Sequence, residues 1–242
     1  MTAKDIDALT LTVIWNGIMS IAEELGITLR HTAFSEGVRE GDDFSTAIFD
    51  RQGRMIAQGN FSPGHLGSMP YVVQHVRDYF PEESLKPGDS VALNDSFMGS
   101  GHFPDVFQIM PVFLDGSIIG YVANSAHQVD VGGAAPGSQK VHGVTEAYQE
   151  GLRILPVKLV KEGAFDEDIM RIILGNVRMP DKVRGDLGAQ HGANLTAVER
   201  LCQLHRDHGT ELIERAHDVI LDRTEAHMRE ALAKVADGTY SF

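Results

Sequence analysis

Residues 106–127 read "VFQIMPVFLDGSIIGYVANSAH", two apolar runs meeting at Asp115-Gly116. An Asp-Gly pair accepts the two positive φ angles of a tight hairpin turn, so the runs are expected to pair antiparallel along their length. With Asp115 and Gly116 as the turn residues, Asp105 falls opposite Ala126, one step from His127. Pro111 interrupts the first run and points to an edge strand or a bulge, and a bulge there shifts the pairing by one. Either register brings His127 to the strand end where Asp105 begins the neighbouring strand.

His102 lies on the approach to that same end, in "GSGHFPDV". Pro104 disfavours the α conformation at Phe103 and has no N–H, so His102 and Asp105 enter from an extended, glycine-flanked turn, not from a helix face. A further carboxylate comes from "REGDDFS", where Asp42 and Asp43 alternate in direction and at most one faces the same pocket. Two imidazoles with one or two carboxylates form a mixed nitrogen and oxygen set suited to Zn2+, Mn2+ or Fe2+. The competing reading is a set of hydrogen-bonded loop residues in a chain with 11 histidines.

Elsewhere the pattern is helical over residues 5–40, rich in strands, turns and glycine loops over 44–160, and helical again over 165–236. Leu11, Ile14, Ile18, Ile21 and Leu25 recur at helical spacing, with Gly26 as the expected left-handed cap. "STAIFDRQGRMIA" reads as a hairpin about Arg51–Gly53, and a helix is expected over 66–80, with Ser68 as its cap. In the last third, Ile213, Ala216, Ile220, Met228, Ala231 and Val235 mark one face of a helical hairpin. Asp237-Gly238 closes that helix, and residues 239–242 read as the start of a strand. The class is therefore α+β: an N-terminal helix, a central β-rich region and a C-terminal helical hairpin.

The loop "QVDVGGAAPGSQ" after His127 is too polar and glycine-rich for a core element, and the N–H groups about Gly132 and Gly133 are candidates to hold a substrate carbonyl or an anion. His65, in "SPGHLGSM" before the expected helix, is a candidate substrate-binding residue. A formal charge of −13 without a basic run argues against a nucleic-acid face. A single cysteine, Cys202, excludes a disulfide framework and fits a reducing compartment. The apolar N-terminal stretch is broken by Asn16, Glu23 and Glu24, so neither a signal peptide nor a membrane span is expected, and the cytoplasm is the default location. No GxxxxGK[ST] or strand–GxGxxG–helix unit is present, nor a nucleophile elbow.

Five stretches in order, "DFSTAIFDRQGRMIAQGNFSPGHLGSM", "LNDSFMGSGHFPDVFQIMPVF", "NSAHQVDVGGAAPGSQ", "EAYQEGLRILPVKLV" and "ILGNVRMPDKVRGDLGAQHGAN", resemble the hydantoinase B/oxoprolinase family. That family also includes the metal-bearing subunit of acetone carboxylases. The resemblance implies that residues 1–242 form a single region corresponding to the N-terminal half of a longer architecture, or a split subunit. It implies a partner A subunit that binds ATP, consistent with the missing nucleotide motif, and a C-terminal half supplied by the same or another chain. It places the metal ligands at Asp43, His102, Asp105 and His127, with Asp43 preferred to Asp42 because it directly precedes Phe44-Ser45. Gly101 and Gly41 depart from the Thr and Arg usual in the family, and Asp42 is an added acid.

The chemistry implied is ATP-dependent opening of a cyclic amide (hydantoin, 5-oxoproline or lactam). An amide is a poor electrophile; phosphorylating its oxygen turns hydrolysis into expulsion of phosphate, and a water activated at one divalent metal supplies the attack. Asp130 and Glu146 are candidates to orient that water or move protons. Ketone carboxylation is the alternative within the same resemblance, and a non-catalytic assembly module is the alternative outside it.

Overall fold

Asp7 starts the first helix by accepting the Thr10 N–H at 2.9 Å in the computed structural model, which describes residues 6–140 and 142–240. Helix α1 (Ala8–Thr32) buries Leu11, Ile14, Ile18, Ile21 and Leu25 on one face, as their spacing requires. It does not stop at Gly26. A Cβ on that glycine would lie 1.9 Å from the Phe61 ring, so the residue serves close packing inside the helix and not a cap. Phe61 in turn packs on Phe44 with ring centroids 4.6 Å apart, which ties the helix to the first strand. A short helix, α2 (Glu36–Arg39), follows.

The strands come next: β1 (Phe44–Asp50) and β2 (Met55–Gln58), then, after α3 (Met69–Tyr79), β3 (Ser90–Leu93), β4 (Asp105–Leu114), β5 (Ser117–His127), β6 (Val157–Lys161) and β7 (Ala164–Phe165). They form one antiparallel sheet of seven strands in the order β2-β1-β5-β4-β3-β6-β7. Asp115 and Gly116 take φ of +50° and +83°, the values a primed hairpin turn demands. Beside the turn Leu114 pairs with Ser117 and Phe113 with Ile118; the register then shifts between Val112 and Phe113. Ile119 is the extra residue, and beyond it Asp105 pairs with His127 itself instead of Ala126.

The bulge thus lies one residue nearer the turn than Pro111. Pro111 is not on an edge strand either, because β4 runs between β5 and β3. β3 pairs with β4 only from Phe107 to Ile109, so that ladder asks no N–H of Pro111. Ser68 occupies the cap position of α3 without capping it; its hydroxyl donates to the His65 carbonyl at 2.9 Å.

Three helices complete the fold: α4 (Glu167–Gly175), α5 (Pro180–His208) and α6 (Thr210–Leu232), the last two joined by Gly209 at φ +84°. Helices α1, α5 and α6 cover one face of the sheet and α3 the other, so β1 is buried at all seven positions. Helix α5 is fastened to the sheet by buried amides. Asn124 Nδ2 donates to the Gln190 carbonyl (2.9 Å) and Asn194 Oδ1 (2.8 Å), and Gln190 Nε2 donates to the Val106 carbonyl (2.8 Å) and Asn124 Oδ1 (2.8 Å). Asn194 Nδ2 donates to the Gln108 carbonyl, Gln108 Nε2 to the Leu187 carbonyl, and Gln128 Nε2 to Gln190 Oε1.

The expected apolar stripe outruns both the body and the helix: Ile213, Ala216 and Ile220 are buried, whereas Met228 is 59% exposed and Val235, beyond the end of α6 at Leu232, is 58% exposed. Cys202 is buried, and burial raises its thiol above the ordinary range, the condition of an inert packing residue. Thr239 and Tyr240 carry no strand, and residues 241–242, the rest of the expected strand, lie outside the described residues. Among the described residues no helix is long and apolar enough to cross a membrane.

Between α5 and α6, His205 and His217 are both buried with ring centroids 6.3 Å apart. Burial pushes both imidazoles down to about 4, aided by their mutual repulsion at His205 and by Arg54 at His217. Above the unfolded value of 6.5 both states are neutral and stability is unaffected. Between 6.5 and about 4 the unfolded chain binds protons that the folded chain refuses, so stability falls as pH falls, by up to about 1.4 kcal/mol per pH unit for each histidine. Urea midpoints measured from pH 7 to 5 should therefore decline, and His217→Met should flatten that decline; an equal slope in both proteins would refute the assignment.

Candidate metal centre

The shifted register of β4 and β5 puts Asp105 directly opposite His127 on the sheet face that α3 covers. One strand further, Asp43 lies just before the Phe44–Ala126 pair, and its carbonyl accepts the His127 N–H at 3.0 Å. Asp43, His127 and Asp105 thus occupy one rung across β1, β5 and β4. The turn that brings His102 to this rung is held from both sides. Asn94 donates to the carbonyls of Phe103 (2.7 Å) and Leu152 (2.9 Å), Asp95 pairs with Arg153, and the Pro104 carbonyl accepts the Gln128 N–H at 2.8 Å. Gly99 is required there, since φ is +135° and a Cβ would lie 2.5 Å from Val72 Cγ2.

His102, Asp105 and His127 gather tightly, each offering a ligand atom within 4.8 Å of the others. His102 Nε2 donates to Asp105 Oδ2 at 2.9 Å, and the two histidine rings are 5.1 Å apart. Asp105 is buried, and its Oδ1 has no hydrogen-bond partner among the described residues. A buried, unsatisfied carboxylate oxygen costs about 1–3 kcal/mol unless something fills its place. A buried carboxylate with one orphaned oxygen, clustered with two imidazoles, fits a divalent cation in donor chemistry.

The protonation states suit the same purpose. Burial opposes charge on Asp105, but hydrogen bonds from His102 and His65 outweigh it and lower the carboxyl to about 2. Burial pushes His127 below its ordinary value, which keeps its lone pair available. The hydrogen bond to Asp105 raises His102 instead, so that imidazole must give up a proton before it can ligate.

Asp43 lies outside the tight set of three, although its charge acts on both His102 and His127 and it lines a hollow beside His127. Asp42 is turned away, held by Arg30 through two bonds of 2.6 Å. Asp130 is buried and engaged: Arg178 donates to its Oδ1 at 2.8 Å and to its Oδ2 through the backbone N–H at 2.5 Å. The same guanidinium reaches the carbonyls of Gly132, Gly133 and Ala135, so Asp130 and Arg178 fold the glycine loop. Gly132 and Gly133 take positive φ, and a Cβ on either would lie 2.5 Å from a carbonyl of the neighbouring segments. Glu146 is exposed and caps the turn Ala147–Gln149. His65 is buried against Asp105, with Nε2 3.0 Å from Oδ2.

Beside His102 opens a cavity of about 620 Å3 whose walls include Gln139, Lys140, Val144, Thr145, Glu146 and Glu150. Two of these residues escape sequence reasoning. Gln139 Nε2 lies 3.3 Å from His127 Nε2, and the Glu150 carboxylate acts on His102. Neither stands at a spacing that links it to a histidine; only the polar character of the loop after His127 signals them.

Residues 7–242 match the hydantoinase B/oxoprolinase family. The chain is 39% identical to an uncharacterised protein of Methanocaldococcus jannaschii over 232 residues, covering 95% of this chain and 41% of that protein. It is 34% identical to caprolactamase subunit beta of Pseudomonas jessenii, covering 98% and 40% of the two chains. The crystal structure of the ATP-dependent caprolactamase from that organism superposes with a TM-score of 0.88 at 32% identity, over 96% of this chain and 40% of that one. Nucleotide-free acetone carboxylase shares the fold, with a TM-score of 0.75 at 18% identity over 85% of this chain and 28% of its own. The chain spans about two fifths of the length of these two curated relatives and less than one fifth of the 5-oxoprolinase of Saccharomyces cerevisiae. From the match along almost its whole length, the chain belongs to the hydantoinase B/oxoprolinase family.

Proposed function

We propose that this chain is the metal-bearing portion of the B-type subunit of an ATP-dependent cyclic-amide hydrolase that opens hydantoin, 5-oxoproline or lactam rings. The observation that carries the reading is the buried Asp105 carboxylate, one oxygen orphaned, clustered with His102 and His127, of which His102 lines a cavity of about 620 Å3. The likeness to caprolactamase subunit beta supports the substrate class. A bound Zn2+, Mn2+ or Fe2+ would supply a nucleophile from water at neutral pH and polarise the substrate carbonyl.

The chain's own groups supply the rest. Asp105 remains ionised, His127 remains neutral, and Asp43, on the same rung, completes the ligand set. Glu146 and Glu150 stand on the cavity wall where a proton must be taken up or delivered, and Glu150 already acts on His102. ATP binds to a separate A-type subunit, in keeping with the missing phosphate loop. The remaining three fifths of the B-type architecture comes from further polypeptide, in the same chain or another, and the whole works in the cytoplasm.

His102→Ala and Asp105→Ala should each lower metal content at least about tenfold by elemental analysis, while far-UV circular dichroism stays native because both residues lie at a strand end. Stoichiometric metal in the double variant would refute the centre. In the native complex, a cyclic amide alone should stimulate ATP turnover, and a chelator should abolish product formation. Turnover that needs bicarbonate would assign a ketone carboxylase instead, and a metal-free complex unresponsive to either would leave an assembly role.

A further inference from the structure

Two stretches of the sequence meet behind Asp105 without joining the cavity. The second residue of β1, Ser45, is buried, and its hydroxyl donates to the Ser62 carbonyl at 2.5 Å. Ser45 Oγ also lies 2.9 Å from His65 Nδ1. The other ring nitrogen, Nε2, lies 3.0 Å from Asp105 Oδ2, and the ring stands edge-on to Phe107 at 5.8 Å. His65 is 6% exposed and is not among the residues that wall the cavity. Every polar atom of its side chain is committed inward.

The consequence is an asymmetric carboxylate. Asp105 Oδ2 receives both His65 and His102, whereas Oδ1 receives nothing among the described residues. When His102 turns to a metal ion, His65 is the donor that still holds Oδ2. We propose that His65 is a positioning residue, held by Ser45, that fixes the Asp105 carboxylate so that Oδ1 is presented to the ion; this rests on the metal-centre reading above. It replaces the expectation that His65 contacts substrate. Ser45, two residues beyond Asp43, thereby orients the ring that orients the ligand.

The test is a Co2+ titration of the 242-residue chain, followed by the visible absorption bands, which report ligand geometry independently of activity. His65→Leu should weaken Co2+ binding by about 10–100-fold and alter the bands. His65→Gln, whose amide nitrogen reaches the Nε2 position, should restore most of the affinity, and the shorter His65→Asn should not. Ser45→Ala should produce a smaller loss in the same direction. A folded His65→Leu with native affinity and native bands overturns the proposal while leaving the metal centre standing. Should that variant not fold, equal affinities for His65→Gln and His65→Asn overturn it. A native chain that binds no Co2+ overturns the metal centre itself, and this inference with it.

Discussion

The amides that join α5 to β4 and β5 are the constraint on which the rest of the molecule depends. Apolar packing tolerates small slides, but Gln190 and Asn124 exchange hydrogen bonds at one relative position of helix and sheet. Displacing either strand would leave several buried amides unmatched, at about 1–3 kcal/mol each. Gln128, which follows His127 directly, belongs to this network, and so does the carbonyl of Val106, which follows Asp105. The network therefore grips both strands one residue from the candidate centre. Rigid support at that distance is what a site assembled from separate strands requires.

Arginines sort the acidic residues around the centre. Asp42 is taken by Arg30, Asp95 by Arg153 and Asp130 by Arg178. Asp105 has no lysine or arginine partner among the described residues, only imidazoles that a cation can displace or share. A guanidinium would hold a carboxylate through both oxygens. A histidine edge takes one and leaves the other, the condition described for Oδ1. Arginine pairing thus neutralises Asp42, Asp95 and Asp130 and leaves the buried charge of Asp105 to imidazoles.

Much of this was legible in the sequence because it is local. Asp115-Gly116 dictates its own turn, the helical stripes of α1 and α5–α6 dictate buried faces, and Pro104 keeps His102 and Asp105 off a helix face, although the segment is a turn closed by the Asp105 N–H on the His102 carbonyl and not an extended approach. What escaped was decided by contacts between distant segments. Gly26 reads as a cap until Phe61, far along the chain, is found lying on it. The bulge depends on where Ile119 fits against the helices, so only its one-residue effect on register, not its place, could be anticipated. Asp130 is a free carboxylate in sequence and the anchor of Arg178 in the fold, and nothing near it announces a partner 48 positions away. The added acid becomes intelligible: Asp42 adopts φ +51° and its carboxylate pairs with Arg30, leaving Asp43 as the residue that precedes the strand.

The rung shared by Asp43, His127 and Asp105 also acts as a ruler. Neighbouring strands in a sheet are held about 4.8 Å apart by their backbone hydrogen bonds, whatever the side chains. The backbone positions that carry Asp43, His127 and Asp105 inherit that interval, and only their side-chain rotamers bring the donor atoms closer. His102 alone is carried by a turn instead of a strand, between Gly101 at φ +86° and Pro104. That turn can be reshaped while the sheet beneath it stays unchanged.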